Sequence, residues 1–466
     1  MENVAAWSAW TDGSSGNSIW RFPYDSCIIT IMRVEIEKIV YGGWGLARTE
    51  AGVVFMEDVL PGEQAEAEIF ARKKDHAFAR LVSILKPSTA RREPPCPLAA
   101  ECGGCSWQHI QYEEQFRLKR EILEECFSRL APLPPMDVFP SPEWKYRCRA
   151  RYQRRVPGGE VGFFKKNSHT VITAPDCPIL LPALCDFMRA HAGELAALDP
   201  RQTQVRALCN ARGSVCTKPG LGRQAASQIT ITVGNKYFEL GPMDFFQANI
   251  MLHETMGAWA AAQAAGVQQT AGGEDGTPTG VWQPAREAGG TMGVQTARSM
   301  QGSRGARPRW EDQGGLLLDL YGGVGYFSVL LADRFTSGVM VEADKHSAAR
   351  ARRNFKLNRM ERFNIVPATA ERYLTSGPRE AREADCIMLD PPRAGLSERV
   401  RGRLAGLTPQ RLVYISCNPS TQARDIDFLI KKGGYTLERL ALFDCYPQTP
   451  HIESGAVLSK LTERRA

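Results

Sequence analysis

Residues 316–328 read Leu-Leu-Leu-Asp-Leu-Tyr-Gly-Gly-Val-Gly-Tyr-Phe-Ser. An apolar run that breaks into glycines and resumes as an apolar stretch predicts a buried strand, a tight loop and a helix, the opening unit of an open parallel α/β sheet. The glycines let backbone approach a neighbour closely at the strand's carboxyl end, the edge at which such sheets bind ligands. The pattern then repeats toward the C-terminus. Val339-Met340-Val341 ends in Glu342, Cys386-Ile387-Met388-Leu389 ends in Asp390-Pro391-Pro392-Arg393-Ala394-Gly395, and Arg411 to Ser416 ends in Cys417-Asn418-Pro419-Ser420-Thr421. Strands alternating with helical stretches place the C-terminal part in the α/β class.

Outward from that stretch, the 466 residues are too many for one domain, and a hydrophobic content of 43% suits packed cores. Leu316 to Leu331 is the richest apolar stretch, yet Asp319 and its glycines interrupt it short of the roughly 20 residues a membrane span needs, so no membrane partner is expected. Residues 1–30 hold Arg21 as their only cation and no secretory pattern, which places the chain in the cytoplasm. There the 13 cysteines stay reduced and read as metal ligands, catalytic groups or buried side chains. The formal charge of +7 is mild, so any nucleic-acid affinity has to come from how the cations are distributed.

The expected organisation is multidomain. Residues 1–31 have no clear period and read as a disordered or untranslated extension. Residues 32–90 carry short alternating runs punctuated by Gly42-Gly43-Trp44-Gly45 and Pro61-Gly62, the pattern of a small OB-like β-barrel whose loop Arg72-Lys73-Lys74 suits an RNA backbone. Residues 91–240 form a central, β-rich domain with a cysteine cluster. In it Lys145-Tyr146-Arg147-Cys148-Arg149-Ala150-Arg151-Tyr152 alternates with period two, so one strand face is cationic and Arg154 and Arg155 extend it. A solvated strand face reads equally well there. Residues 241–466 form the α/β domain, interrupted at 263–313 by a glycine-rich stretch without Leu, Ile or Phe, which reads as a flexible insertion.

A glycine loop alone is weak evidence of a ligand. Here an acid, Glu342, ends the next strand about 20 residues after Asp319, where it can hold two ribose hydroxyls. The order Asp-x-Tyr-x-Gly-x-Gly differs from the dinucleotide pattern and favours S-adenosylmethionine. At the same edge Asp390 is stiffened by two prolines, and Cys417 leaves its strand facing the methyl donor's side of the sheet. A lone cysteine is usually inert and buried. Beside a methyl donor it suits methylation of a pyrimidine at C5, a carbon too weak to attack unaided: thiolate addition to C6 activates C5, and a base then removes the C5 proton. His451 and Glu453, in Phe443-Asp444-Cys445-Tyr446-Pro447-Gln448-Thr449-Pro450-His451-Ile452-Glu453, are the available bases.

With these residues in place, the chain resembles the RNA uracil-5-methyltransferase family. Asp-Pro-Pro-Arg-x-Gly followed by Val-Tyr-Ile-Ser-Cys-Asn-Pro-Ser-Thr is similar to its nucleophile signature, and Asp-Cys-Tyr-Pro-Gln-Thr-Pro-His-Ile-Glu to its second one. The resemblance extends from Met32 to the end, the insertion excepted. It implies Cys417 as nucleophile, Glu453 as base, and cofactor contacts at Gln247, Tyr321, Glu342 and Asp390. It also implies that the barrel is a TRAM domain and that the α/β domain is a Rossmann-like methyltransferase. Gly322 stands where the family usually has Cys, and Tyr446 where it usually has Phe.

Cys96, Cys102 and Cys105, with Cys177 as a plausible fourth, read equally as structural zinc. Cys148, Cys185, Cys209 and Cys216 compete for the fourth place. The resemblance implies a [4Fe-4S] cluster on Cys96, Cys102, Cys105 and Cys177. It further implies structured RNA as substrate, 23S rRNA in preference to tRNA; a monomer is expected. Two rival readings are an amino-group methyltransferase built on Asp390-Pro391-Pro392, which needs neither Cys417 nor Glu453, and a non-enzymatic iron–sulfur RNA-binding protein.

Overall fold

The structure, a computed structural model, describes residues 9–11, 18–20, 29–50, 52–222, 226–266 and 315–460. The expected insertion lies outside the described residues from 267 onward; the residues before it close the helix His253–Ala264. Within the expected extension, Ala9–Thr11 and Ser18–Trp20 are strands, and the remainder up to 28 lies outside the described residues. Among the described residues no helix is long and apolar enough to cross a membrane.

Compactness divides the chain into two units. One comprises Met1–Leu133, Pro142–Ser227 and Asp444–Ile452; the other comprises Pro134–Ser141, Gln228–Phe443 and Glu453–Ala466. The sequence boundaries differ from this at three places. Met136–Phe139 pairs with Tyr435–Phe443 in the α/β sheet, and the hairpin Ile229–Val233/Lys236–Leu240 joins the same unit, although both fall inside 91–240; Asp444–Ile452, inside 241–466, belongs to the first unit.

The α/β unit holds an eight-stranded sheet. Phe363–Pro367, Ser337–Glu342, Leu316–Leu320, Cys386–Leu389 and Arg411–Ser416 run parallel in that order. The central strands are largely apolar because both faces are covered: Leu317, Leu318, Leu320 and all of Cys386–Leu389 are fully buried, with Asp319 the polar exception. Glu453–Lys460 then adds antiparallel to Arg411–Ser416. Local chemistry sets the helix starts. Asp344 accepts from the Ser347 amide at 2.8 Å before Lys345–Leu357, and Asn418 caps Pro419–Gly433, which has Pro at its start and Gly434 (φ 67°) at its end.

The other unit contains two sheets. The first, also eight-stranded, runs Ala9–Thr11, Ser18–Trp20, Ile29–Glu35, Gln64–Arg72, His76–Lys86, Gly52–Met56, Trp44–Thr49 and Lys38–Val40. It curls so that Ile29–Glu35 meets Trp44–Thr49 around a core of Met32, Val34, Ile36, Val54 and Met56. The second is an antiparallel sheet of Val171–Thr173, Val161–Phe164, Arg149–Arg154, Gln204–Cys209 and Val215–Lys218, packed against the helix Pro182–Ala190. Tyr146, Cys148, Ala150 and Tyr152 are buried while Lys145 and Arg151 are exposed, as the period-two pattern predicts. Arg154 does not extend the cationic face, because its parity places it on the buried face with Tyr152. It is buried, and its guanidinium donates to the carbonyls of Leu195, Ala196, Leu198, Asp199 and Gln202, so it closes a turn of the chain and is not part of a surface patch.

Asp444–Ile452 is held within this unit by a buried polar network. Lys119, on the helix Tyr112–Phe127, donates to Asp444 at 2.6 Å and to the Tyr446 carbonyl at 2.9 Å, with both charged side chains fully buried. Gln115 and Gln448 exchange hydrogen bonds at 2.8 and 3.0 Å, and the amides of Ser106 and Trp107 donate to the Gln448 carbonyl. Burial lowers the Lys119 pKa, opposed by the Asp444 charge that keeps the ammonium viable. Removing one partner strands the other in a dry interior. Lys119→Ala is therefore expected to destabilise the protein by about 3–5 kcal/mol, read by urea denaturation. A loss below about 1 kcal/mol would show that the pair is solvated.

Candidate active site

Strand register gathers the site. In the α/β unit Ser416 pairs with Ser454, so the next residues toward that edge, Cys417 and Glu453, stand opposite one another. A buried network pins that edge: Ser454 Oγ lies 3.1 Å from the Ser416 carbonyl and 2.7 Å from Gln422 Oε1, and Gln422 donates to the Tyr414 carbonyl. In the same way Leu320 pairs with Val341 and with Leu389, which brings Tyr321, Glu342 and Asp390 to one edge of the parallel strands.

The loop after Asp390 is tied to the one that bears Cys417. Asn418 Nδ2 and Thr421 Oγ1 both donate to the Arg393 carbonyl, at 2.9 and 3.2 Å. The Leu396 amide donates to the buried carboxylate of Asp425. Gly395 (φ 73°) is required between them, since a Cβ there would sit 2.5 Å from Asp425 Oδ2. Arg393 is thereby held near Cys417, where its positive charge favours the thiolate.

Electrostatics define the character of the pocket. Burial pushes the Cys417 thiol above its usual 9.0, the Glu453 charge adds to the rise, and Arg393 opposes it. Glu453 is buried and is no exposed loop acid. Burial, then Asp390, raise its pKa well above the ordinary value, against the pull of Arg393. Burial, then Asp319, bring Asp390 to about 7, and burial brings Asp319 itself to about 7. His451, the other base considered, is exposed and packs edge-on against Tyr446.

The glycine loop is shaped for a ligand. Glu342 accepts from the Gly323 amide at 2.8 Å and the Asp344 amide at 2.6 Å, which fixes its carboxylate at the loop. A Cβ on Gly323 (φ 56°) would meet nothing within 4 Å, so the loop faces open space there. Tyr321 takes a left-handed φ of 65°, and burial raises its phenol to about 12. Met340 accounts for Gly322: a Cβ at 322 would lie 2.2 Å from Met340 Cγ, so the methionine occupies the space a cysteine would need. Gln247 is buried beside this loop. Its carbonyl accepts from His253, and Phe246 and His253 pack on Tyr326, the first residue after the glycines.

Two contributors were not assigned from sequence. Asp319 takes the Ser328 hydroxyl and amide on Oδ2, while its Oδ1 is buried with no hydrogen-bond partner. Arg393 lies in the quoted motif, but nothing in its spacing reveals a thiol partner. An unsatisfied buried carboxyl oxygen among acids whose pKa values burial raises suits a cationic ligand such as the sulfonium and ammonium of S-adenosylmethionine, whose positive charge would favour their ionised forms.

Comparison with known proteins agrees with this geometry. The family model described as tRNA (Uracil-5-)-methyltransferase matches residues 306–461. The 23S rRNA (uracil(1939)-C(5))-methyltransferase RlmD of Thiobacillus denitrificans is 30% identical over 92% of this chain and 99% of its own length. The chain belongs to the RNA uracil-5-methyltransferase family. Another member-like relative, an RNA methyltransferase of Aquifex aeolicus, is 30% identical over 92% of this chain and 98% of its own. The solved tRNA (uracil-54, C5)-methyltransferase of Pyrococcus abyssi, in complex with S-adenosyl-L-homocysteine, shares the fold at a TM-score of 0.66 and 20% identity. It covers 92% of this chain and 100% of its own.

Elsewhere in this uracil-5-methyltransferase chain, Cys96, Cys102, Cys105 and Cys177 line one cavity of about 430 Å³ with Gly103 and Gly104. The competitors Cys148, Cys185, Cys209 and Cys216 do not line it and are buried. Among the described residues no three His, Cys, Asp or Glu side chains close on a single metal ion.

Proposed function

We propose that the chain methylates C5 of a uridine in structured RNA, with Cys417 adding to C6 and Glu453 taking the C5 proton. The observation that carries this reading is the pairing of Ser416 with Ser454, which sets a thiol and a buried carboxyl opposite each other beside a ligand-shaped glycine loop. Addition of the Cys417 sulfur to C6 moves the ring's π electrons onto O4. C5, now nucleophilic, gains the methyl carbon, and loss of its proton to Glu453 restores the double bond as the C6–S bond breaks. Arg393 favours the thiolate that starts the sequence. S-adenosylmethionine would supply the methyl group, its sulfonium S–CH3 bond breaking as the C5–CH3 bond forms and S-adenosylhomocysteine leaving. Glu342 would hold its ribose, Tyr321, Gln247 and Asp390 would complete its cradle, and the Asp319 carboxyl would face its positive charge.

The full-length relatives named for 23S rRNA favour that substrate over tRNA. The test is incubation of the protein and S-adenosylmethionine with 23S and tRNA transcripts containing 5-fluorouridine. Fluorine cannot leave C5 as a proton, so a denaturing gel should show a covalent protein–RNA complex with the substrate class. Methyl transfer to ordinary RNA with no trapping of either transcript would turn the assignment to the amino-group rival.

Glu342→Ala is expected to weaken S-adenosylmethionine binding about 10- to 100-fold, as loss of charge-assisted hydrogen bonds does. Calorimetric titration reads this; unchanged affinity would remove Glu342 from the cofactor site. We further infer a [4Fe-4S] cluster on the four cavity thiols. Anaerobically purified protein should contain iron and sulfide and absorb broadly in the visible, and Cys105→Ser should lose both. Stoichiometric zinc would overturn the iron assignment.

A further inference from the structure

The helix Pro419–Gly433 begins just after Cys417, and its first turns grip the loop that follows Asp390. Asn418 and Thr421 hold the Arg393 carbonyl, and Arg424 donates to the Ala394 carbonyl at 3.0 Å. Asp425 stands at the centre of this grip. Its Oδ2 accepts from the Leu396 amide at 2.7 Å and from the Tyr414 hydroxyl at 2.9 Å. Its Oδ1 accepts from Arg401 and from Arg424, both at 2.8 Å. One carboxylate therefore joins the strand Arg411–Ser416 that leads into Cys417, the helix that leads out of it, and the loop that carries Arg393. Through Arg401 it also reaches the helix Glu398–Ala405 beyond that loop.

Fold stability is a poor account of this arrangement. The Asp425 side chain is fully buried, and a buried ion pair stabilises a fold no better than apolar side chains of the same volume. What apolar groups cannot supply is direction: donors on three surrounding elements converge on two oxygens and fix where the loop's backbone runs. The approach is close, since a Cβ on Gly395 would lie 2.5 Å from Asp425 Oδ2 and 2.8 Å from Arg424 Nη2. Arg393 precedes that contact by two residues. The charged groups that face Cys417 are Glu453, Arg393 and Asp390, and Arg393 is the cation among them. A loop that drifted would leave the sulfur facing two acids.

We propose that Asp425 is a positioning residue: by tying the 393–396 loop to the strand and the helix on either side of Cys417, it keeps the Arg393 guanidinium beside the sulfur. This rests on the thiol reading above and deepens it, by naming what holds the thiol's cation in place.

Alkylation of Cys417 by iodoacetamide tests it on the full-length protein without RNA, the rate being read by mass spectrometry of the Cys417 peptide. The thiolate is the reactive form, so Asp425→Asn should be alkylated about tenfold more slowly at pH 7, the loss that a one-unit rise in the thiol pKa gives, and the deficit should close at alkaline pH. A merely structural role has the opposite sign: a loosened pocket exposes the half-buried sulfur and speeds the reaction at every pH. In an Arg393→Gln background, itself slow, adding Asp425→Asn should change the rate by less than about twofold. Arg424 is half-exposed, so Arg424→Ala should keep the wild-type melting curve and show the same pattern at smaller amplitude, which carries the test even where Asp425→Asn does not fold. Unchanged or faster alkylation, or losses that multiply with Arg393→Gln, would overturn the role. If wild type forms no covalent complex with fluorouridine RNA while the alkylation pattern holds, the methylation reading fails and the positioning role stands.

Discussion

Cys417→Ala is expected to lose methylation by between about 10⁴- and 10⁶-fold in kcat, the scale seen when a covalent nucleophile is removed. The loss should be confined to chemistry. Cofactor affinity should stay at the wild-type value, because the groups assigned to the cofactor are Glu342, Tyr321, Gln247 and Asp390. The covalent complex with fluorouridine RNA should vanish. In the wild type, burial and the Glu453 charge hold the thiol above 9.0, so only a small thiolate fraction exists at neutral pH. The rate of trapping should therefore climb with pH, roughly tenfold per unit between about 6 and 8 while addition limits it. A flat profile together with residual turnover in Cys417→Ala would end the thiol mechanism.

Glu453→Gln should fail one step later. The amide keeps the shape and much of the hydrogen bonding of a buried carboxyl but cannot take the C5 proton. Addition and methyl transfer should proceed, and the enzyme should then stay attached to its product. Ordinary uridine RNA, which leaves wild type unattached, should give a stable complex carrying radiolabelled methyl, with steady-state turnover down about 10²- to 10⁴-fold. A variant that turned over freely would move the proton to another base. A complex without label would place Glu453 before methyl transfer instead.

The parallel core and the edge that carries Glu342, Asp390 and Cys417 were legible because each strand is a short apolar run ending in punctuation: glycines, prolines or an acid. Glu453 was legible only through the mechanism's demand for a base and the likeness of its motif, since neither its burial nor its partner across the sheet leaves a local trace. Lys119 and Asp444 were out of reach. They lie 325 positions apart, and an isolated lysine in an amphipathic helix reads as solvent-facing. Arg154 misled for the opposite reason: it follows a run of cations, yet its parity puts it on the buried face, and only the folded turn reveals five carbonyls waiting for it.

Asp444–Ile452 has its own consequence. Phe443 and Glu453, the residues on either side of it, belong to the α/β unit, so the chain leaves that unit and returns within one loop, like a stitch. No single cut can release the α/β unit whole. A shortened chain starting at Gln228 would still carry Asp444 but would lack the lysine that neutralises it, and would lack Met136–Phe139 from its sheet edge. The two units are inseparable by truncation, and neither can be inherited, swapped or expressed as an uninterrupted module.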